Sequence, residues 1–231
     1  MLARDVMTSP VATVPPDMAV VEVAQFLLER RISAAPVVDD DGRLLGIVSE
    51  GDLLHRPETG TLRRRSWWLS LLTSPEEQAS EYIKTHGRRA ADVMTREVVT
   101  VHEDTPLDEV AELLEKRRIK RVPVVRGGEL VGIVSRADIL RALASGREFS
   151  IGAPSADDRT IRQHLLDHLA REGLPHTSLV NVVVTEGVVH LWGIVETDEE
   201  REAMRVAAET IPGVRAVENH LVARPWGTGG E

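Results

Sequence analysis

Gly46-Ile47-Val48-Ser49-Glu50-Gly51-Asp52 and Gly132-Ile133-Val134-Ser135-Arg136-Ala137-Asp138 are one phrase written twice. Each copy is a short apolar run suited to a buried strand, opened by a glycine. At its far end a hydroxyl and a carboxylate stand three residues apart, where a helix begins at Leu53-Leu54 or Ile139-Leu140. A serine at a helix start can hold a phosphate, because the first-turn N–H groups have no internal partner and the helix dipole favours an anion. An aspartate one turn on can accept both hydroxyls of a ribose. The same spacing is also a capping box, which needs no ligand. The phrase alone leaves both readings open.

Around the phrase everything else repeats. Asp5-Val6-Met7-Thr8 returns as Asp92-Val93-Met94-Thr95, Arg30-Arg31-Ile32 as Arg117-Arg118-Ile119, and Pro36-Val37-Val38 as Pro123-Val124-Val125. Each pair lies 87 positions apart (92 − 5, 117 − 30, 123 − 36). The later glycines are 86 apart (132 − 46), so one residue is lost between Asp40-Asp41-Gly42 and Gly127-Gly128, both good hairpin connections. Val20, Val23, Ala24 and Leu27 in copy one, and Leu107, Val110, Ala111 and Leu114 in copy two, have helical spacing. Thr105 is the expected N-cap of the second helix with Pro106 at its first position, and Pro36 and Pro123 are expected where strands begin.

Composition narrows the rest. The chain has 231 residues, 42% hydrophobic but only 3% aromatic, so branched aliphatics must build the core. A net charge of −9 argues against a general nucleic-acid binder, which needs an excess of basic residues facing phosphates. There is no cysteine, which excludes disulfides, thiol catalysis and thiolate-bound zinc. The start carries no apolar signal region, no run approaches a membrane span, and a cytoplasmic location is expected. Walker loops, zinc-protease helices and serine elbows are absent, so no enzyme is expected and no metal is required.

The V-M-T openings, the A-P-V-V and V-P-V-V strands and the two G-I-V-S-x-x-D endings together resemble a tandem pair of CBS domains, a Bateman module, over roughly residues 1–145. The resemblance implies an α+β fold in which two pseudo-symmetric βαββα units pack together. It also implies adenosine-containing ligands (AMP, ADP or ATP, sometimes S-adenosylmethionine or NAD) and a regulatory role. Carried over residue by residue, site one comprises Thr8, Lys120, Arg121, Val122, Ser135, Arg136 and Asp138. Site two comprises Thr95, Ser33, Ala34, Ala35, Ser49 and Asp52. The aspartates would hold ribose, the serines would lie near ribose or phosphate, and Lys120-Arg121 would meet phosphate. Site one should bind phosphate more tightly, since copy one offers Ser33, Ala34 and Glu50 where copy two has Lys120, Arg121 and Arg136.

Residues 55–91 have no counterpart in a minimal CBS unit. They hold Arg63-Arg64-Arg65-Ser66-Trp67-Trp68, then a helix start at Ser74-Pro75-Glu76-Glu77 running to a C-cap near Gly87. Trp67 and Trp68 fit either a linker packed on the module's own flank or a dimer or interdomain contact.

After a linker at 148–155 the repeat stops. A helix from Asp157 to Arg171, strands at 179–185 and 188–194, a helix capped by Thr197 and a last strand at 214–222 give the order αββαβ. Glu186-Gly187-Val188-Val189, Leu191-Trp192-Gly193-Ile194-Val195 and Pro212-Gly213-Val214 with Val217-Glu218-Asn219 resemble a BON domain over about 156–224. The resemblance implies a protein-interaction or oligomerisation role, with phospholipid as a weaker option. His164 and His168 stand one helical turn apart, which is a chelating spacing or simply a solvated face.

The expected organisation is CBS repeat 1 (1–54), inserted helical linker (55–91), CBS repeat 2 (92–147), linker (148–155), BON domain (156–224) and flexible tail (225–231). The expected function is a regulatory sensor that binds an adenine nucleotide, dimerises through its CBS modules and relays occupancy to the BON domain or to its oligomeric state. The alternative is a ligand-independent dimeric scaffold presenting its BON domain to a protein partner or a phospholipid surface.

Overall fold

A computed structural model describes residues 1–54, 83, 86–145, 156–172 and 177–224. Trp67, Trp68, the expected linker 148–155 and the expected tail 225–231 lie outside these residues. So does most of the helix expected from Ser74, although residues 83 and 86 are helical and Gly87 N–H donates to the Ile83 carbonyl at 2.7 Å. The chain forms two compact units, residues 12–98, and residues 1–11 with 99–231. The opening of each repeat therefore belongs to the unit built from the other repeat's strands.

In the 12–98 unit, α2 (Val20–Glu29) precedes the antiparallel pair β1 (Ala34–Val38) and β2 (Leu44–Ser49), and α3 (Glu50–Leu54) follows directly. Val14 bridges in parallel to Val37, and α4 (Ala90–Val93) comes from the second D-V-M-T opening. Their core is Val14, Val23, Leu27, Ala35, Val37, Val48, Val93 and Met94.

The second unit repeats this plan. It contains α1 (Ala3–Val6), β3 (Val101–His102), α5 (Leu107–Lys116), β4 (Arg121–Arg126), β5 (Glu129–Ser135) and α6 (Arg136–Ala144). The sheet runs β3-β4-β5, parallel then antiparallel. Its core is Ala3, Val6, Met7, Val110, Leu114, Val122, Val124 and Val134. Gly127 and Gly128 have φ of 60° and 92°, the left-handed pair that a two-residue hairpin requires.

Two details correct the sequence expectations. The N-cap of α5 is Pro106, not Thr105, whose hydroxyl instead accepts from His102 N–H at 3.1 Å. Pro36 and Pro123 sit inside β1 and β4 rather than at their starts. Each pairs with an isoleucine, Ile47 or Ile133. The isoleucine turns its backbone away, exchanging two hydrogen bonds with Thr95 or Thr8 (2.8–3.1 Å). The prolines thus occupy non-hydrogen-bonded pairs, where a missing N–H costs the ladder nothing.

The same backbone exchange accounts for the glycines of the repeated phrase. A Cβ on Gly132 would lie 2.2 Å from Met7 Sδ and 3.0 Å from Met7 Cβ, and one on Gly46 would lie 2.9 Å from the Thr95 carbonyl oxygen. G-I-V-S and D-V-M-T are two halves of one contact.

The C-terminal domain contains α7 (Ala156–Arg171), a 3₁₀ turn (Thr177–Leu179), β6 (Val180–Thr185), β7 (Val188–Val195), α8 (Asp198–Glu209) and β8 (Ala216–Ala223). The sheet order is β6-β7-β8, with β7 and β8 parallel. One face, bearing Val180, Val182, Val184, Val189, Leu191 and Leu221, packs with Ile161, Leu165, Leu169, Met204 and Ala208 of the helices. Thr197 caps α8 by accepting from Glu200 N–H at 3.1 Å. Gly193 has φ of 139°, and a Cβ there would lie 2.1 Å from the Leu179 carbonyl oxygen, so no other residue fits.

Candidate functional site

Strand register gathers the residues of each expected site. In the second unit Arg121 pairs with Ser135, Lys120 C=O accepts from Arg136 N–H at 3.2 Å, and Thr8 lies across from Ile133, two residues before Ser135. In the 12–98 unit Ala34 pairs with Ser49, Ser33 C=O accepts from Glu50 N–H at 3.0 Å, and Thr95 lies across from Ile47. Lys120 and Arg136 are exposed. Val122 and Ala35, which the resemblance placed in the sites, have fully buried side chains in the two cores and offer a ligand only backbone.

The serine-to-aspartate bonds form in both copies, and copy two adds the reciprocal bond of a full capping box, Asp138 N–H to Ser135 Oγ at 3.3 Å. Asp138 Oδ2 accepts from Ser135 N–H and Oγ–H, each at 2.7 Å, and Asp52 Oδ2 accepts from the same groups of Ser49 at 2.9 and 2.6 Å. The copies then differ. Asp138 is 2% exposed, and its Oδ1 accepts from Arg141 Nη1 at 2.7 Å. The hydrogen bonds of Asp52 among the described residues all use Oδ2. In copy two Arg141 thus holds the carboxylate oxygen that takes no part in the serine contact.

The C-terminal domain reaches the same place. Thr8 Oγ1 accepts from Asn181 Nδ2 at 3.4 Å, and that amide also donates to Val6 C=O at 2.7 Å. Arg162 donates to Val182 C=O at 2.9 Å and Met7 C=O at 2.6 Å. Burial pulls its guanidinium down to about 10, partly offset by the field of Asp5, so it remains a cation at neutral pH. Arg159 donates to Asp5 Oδ1 at 2.8 Å, and Trp192 Nε1–H to Ser145 Oγ at 3.4 Å. Three side chains from α7 and β6 thus grip Asp5-Val6-Met7-Thr8, the opening whose Thr8 was expected in site one. Sequence reasoning missed this grip because it depends on which sheet face the C-terminal domain turns towards α1. The visible signal was a polar Asn181 inside the apolar run of β6.

His164 is exposed and borders an open concavity with Asp167, Arg171, Ile211 and Pro212. Among the described residues it and His168 join no cluster of metal-ligating groups. No described helix is long and apolar enough to cross a membrane.

Comparison with known proteins gives this geometry its context. The CBS domain family matches residues 3–58 and 90–145, and the BON domain family matches 157–225. An uncharacterised protein of Methanocaldococcus jannaschii is 33% identical over 156 residues, covering 62% of this chain and 91% of that protein. The chloroplastic CBS domain-containing protein CBSX1 of Arabidopsis thaliana is 34% identical over 135 residues, 56% of this chain and 57% of its own length. The crystal structure of CBSX2 of Arabidopsis thaliana in complex with AMP superposes with a TM-score of 0.55 at 30% identity, covering 64% of this chain and 99% of that one. The chain belongs to the CBS-domain family, with a tandem CBS pair followed by a BON domain.

Proposed function

We propose that this chain is a regulatory protein, not an enzyme, that binds an adenine nucleotide through its CBS pair and relays occupancy to the BON domain. The observation that carries the reading is the likeness to CBSX2 in complex with AMP. The strand register that gathers Thr8, Arg121, Ser135 and Asp138 in one unit, and Thr95, Ala34, Ser49 and Asp52 in the other, supports it. In this reading Asp52 Oδ1 and Asp138 Oδ1 accept ribose hydroxyls, Arg141 swings aside to release Asp138, and Lys120, Arg121 and Arg136 meet phosphate. The relay runs through Thr8, which a ligand and Asn181 share. Coupling follows if the ligand favours one arrangement of that threonine over another. Homodimerisation is part of the proposal, supported by the exposure of Val21 and Leu28 on α2 and of Leu140 and Leu143 on α6. The proposed location is cytoplasmic.

A second reading has its own observation. Asp138 has both oxygens engaged by Ser135 and Arg141, and Thr8 is engaged by Asn181. These contacts suit a scaffold that presents its BON domain to a protein or phospholipid without a small-molecule input. A thermal-shift panel with AMP, ADP, ATP, NAD and S-adenosylmethionine separates the two. A ligand at ~100-fold over its Kd adds about 2.7 kcal/mol of stability. A scaffold shifts with none of them.

A further inference from the structure

The face of the BON sheet that turns away from its own helices, and from which Asn181 and Trp192 reach α1 and Ser145, holds a cluster that the nucleotide reading does not use. β7 and β8 run parallel with His190 opposite Glu218 and Trp192 opposite His220. Strand alternation puts these four side chains on the face away from Val189, Leu191 and Leu221, which fill the core. His190 Nδ1 lies 3.4 Å from Glu218 Oε2, His220 Nε2 lies 3.6 Å from the same oxygen, and all three atoms lie within 4.8 Å of one another.

We propose that His190, Glu218 and His220 bind one divalent transition-metal ion of the zinc type. Both N···O separations exceed the 2.7–3.2 Å of an N–H···O hydrogen bond. They match the spacing of two ligands on one ion: bonds of about 2.0–2.1 Å in a tetrahedron put neighbouring ligand atoms about 3.4 Å apart. The carboxylate oxygen is the shared corner, and the two imidazole nitrogens close to the same spacing to complete a three-ligand set. The two rings lie in nearly parallel planes, 3° apart with centroids at 6.0 Å, so one ring turns about its Cβ–Cγ bond for both nitrogens to face a single ion. Trp192 stacks on His220 at 3.8 Å, which fixes that ring.

Burial gives the site a closed and an open side. His190 is 4% exposed, and the ligand nitrogens of both histidines are shut off from solvent. The side chains of Glu218 and His220 are 37% and 35% exposed, which gives an ion a way in and leaves a coordination position for water. Two imidazoles with one carboxylate select Zn²⁺, Co²⁺, Ni²⁺ or Cu²⁺ over Mg²⁺ and Ca²⁺, which prefer all-oxygen shells. Sequence reading passed over the cluster because 28 positions separate His190 from Glu218 (218 − 190), and only the parallel register joins them.

The test is Co²⁺ titration of the full-length, EDTA-treated protein, followed by visible absorption and tryptophan fluorescence. The expected result is one equivalent of Co²⁺ with tetrahedral or five-coordinate ligand-field bands, displaced by Zn²⁺. Affinity should fall at least ~10-fold in Glu218→Gln and His220→Gln and be unchanged in His164→Gln/His168→Gln. Independently of how those variants fold, Co²⁺ should quench wild-type fluorescence reversibly, and the quench should shrink in Trp192→Phe. Absence of ligand-field bands in the wild type, bands that survive in folded His220→Gln, or bands lost in the His164/His168 variant would each overturn the assignment.

Discussion

Asn181 of the C-terminal domain donates its amide to Thr8 Oγ1 at 3.4 Å and to Val6 C=O at 2.7 Å. A residue at an expected nucleotide site and a residue of the proposed output domain therefore touch directly. Asn181→Ala is expected to break the relay while leaving nucleotide contacts in place. AMP-dependent changes in hydrogen exchange across residues 180–184 should shrink in the variant, with AMP affinity altered less than about threefold (under ~0.7 kcal/mol). Undiminished exchange changes would contradict the route through Thr8.

The glycine–methionine contact makes a graded prediction. Gly132→Ala presses on the Met7 side chain, whereas Gly46→Ala also meets the Thr95 carbonyl oxygen, a backbone atom that cannot turn away. Both should destabilise by about 1–3 kcal/mol, the usual cost of overpacking. Met7→Ala should recover part of the loss in Gly132→Ala, while Met94→Ala should recover less of the loss in Gly46→Ala. Urea unfolding of the four single and two double variants reads this directly. Equal recovery in both pairs would contradict the geometry.

Two arginines occupy left-handed backbone at equivalent helix ends, Arg31 at φ 52° and Arg118 at φ 54°. Ile119 N–H donates to Leu114 C=O at 3.0 Å, closing the helix over Arg118. Glycine relieves the Cβ strain there but gives up unfolded-state order, so Arg118→Gly should gain roughly 0.5–1 kcal/mol. A thermal melt checks the sign.

Acid should act on Glu103. Its carboxylate accepts from Arg126 Nε and Nη2 at 2.5 Å, and this pairing holds its pKa below the ordinary 4.5. A carboxylate lowered on folding contributes stability above its unfolded pKa and loses it as pH falls through the folded one. Glu103→Gln should therefore be less stable than wild type near neutrality, with the gap closing below about pH 4.5. Because Arg126 is 62% exposed, salt should narrow the gap as well. A gap independent of pH and salt would contradict the pairing.

Much of the fold was legible because repetition and periodicity are local. The V-P-V-V strands, the two glycine turns and the αββαβ order of the last domain each follow from a few neighbouring residues. The two short units became one pattern only because 87-residue spacing made the copies comparable (92 − 5). Placement within elements was less legible. Pro123 falls mid-strand because Ile133 turns its backbone to Thr8, a partner 125 positions away (133 − 8) that no local pattern announces. The expected site residues largely converge, since register alone aligns Arg121 with Ser135. Arg141 holding Asp138 Oδ1, and Arg162 and Asn181 gripping the first turn, arise from side-chain packing. Helical periodicity marks Arg141 only as one more basic residue in a last turn.

Calorimetric titration of AMP into the full-length protein tests the central claim most directly, with wild type run beside Asp52→Asn and Asp138→Asn, in which an amide oxygen can still accept the capping bonds. Saturable binding that weakens at least ~10-fold in one aspartate variant and is lost in the double variant is the predicted result. No heat of binding in the wild type, or binding unchanged in the folded double variant, would leave both carboxylates as helix caps and contradict the nucleotide assignment.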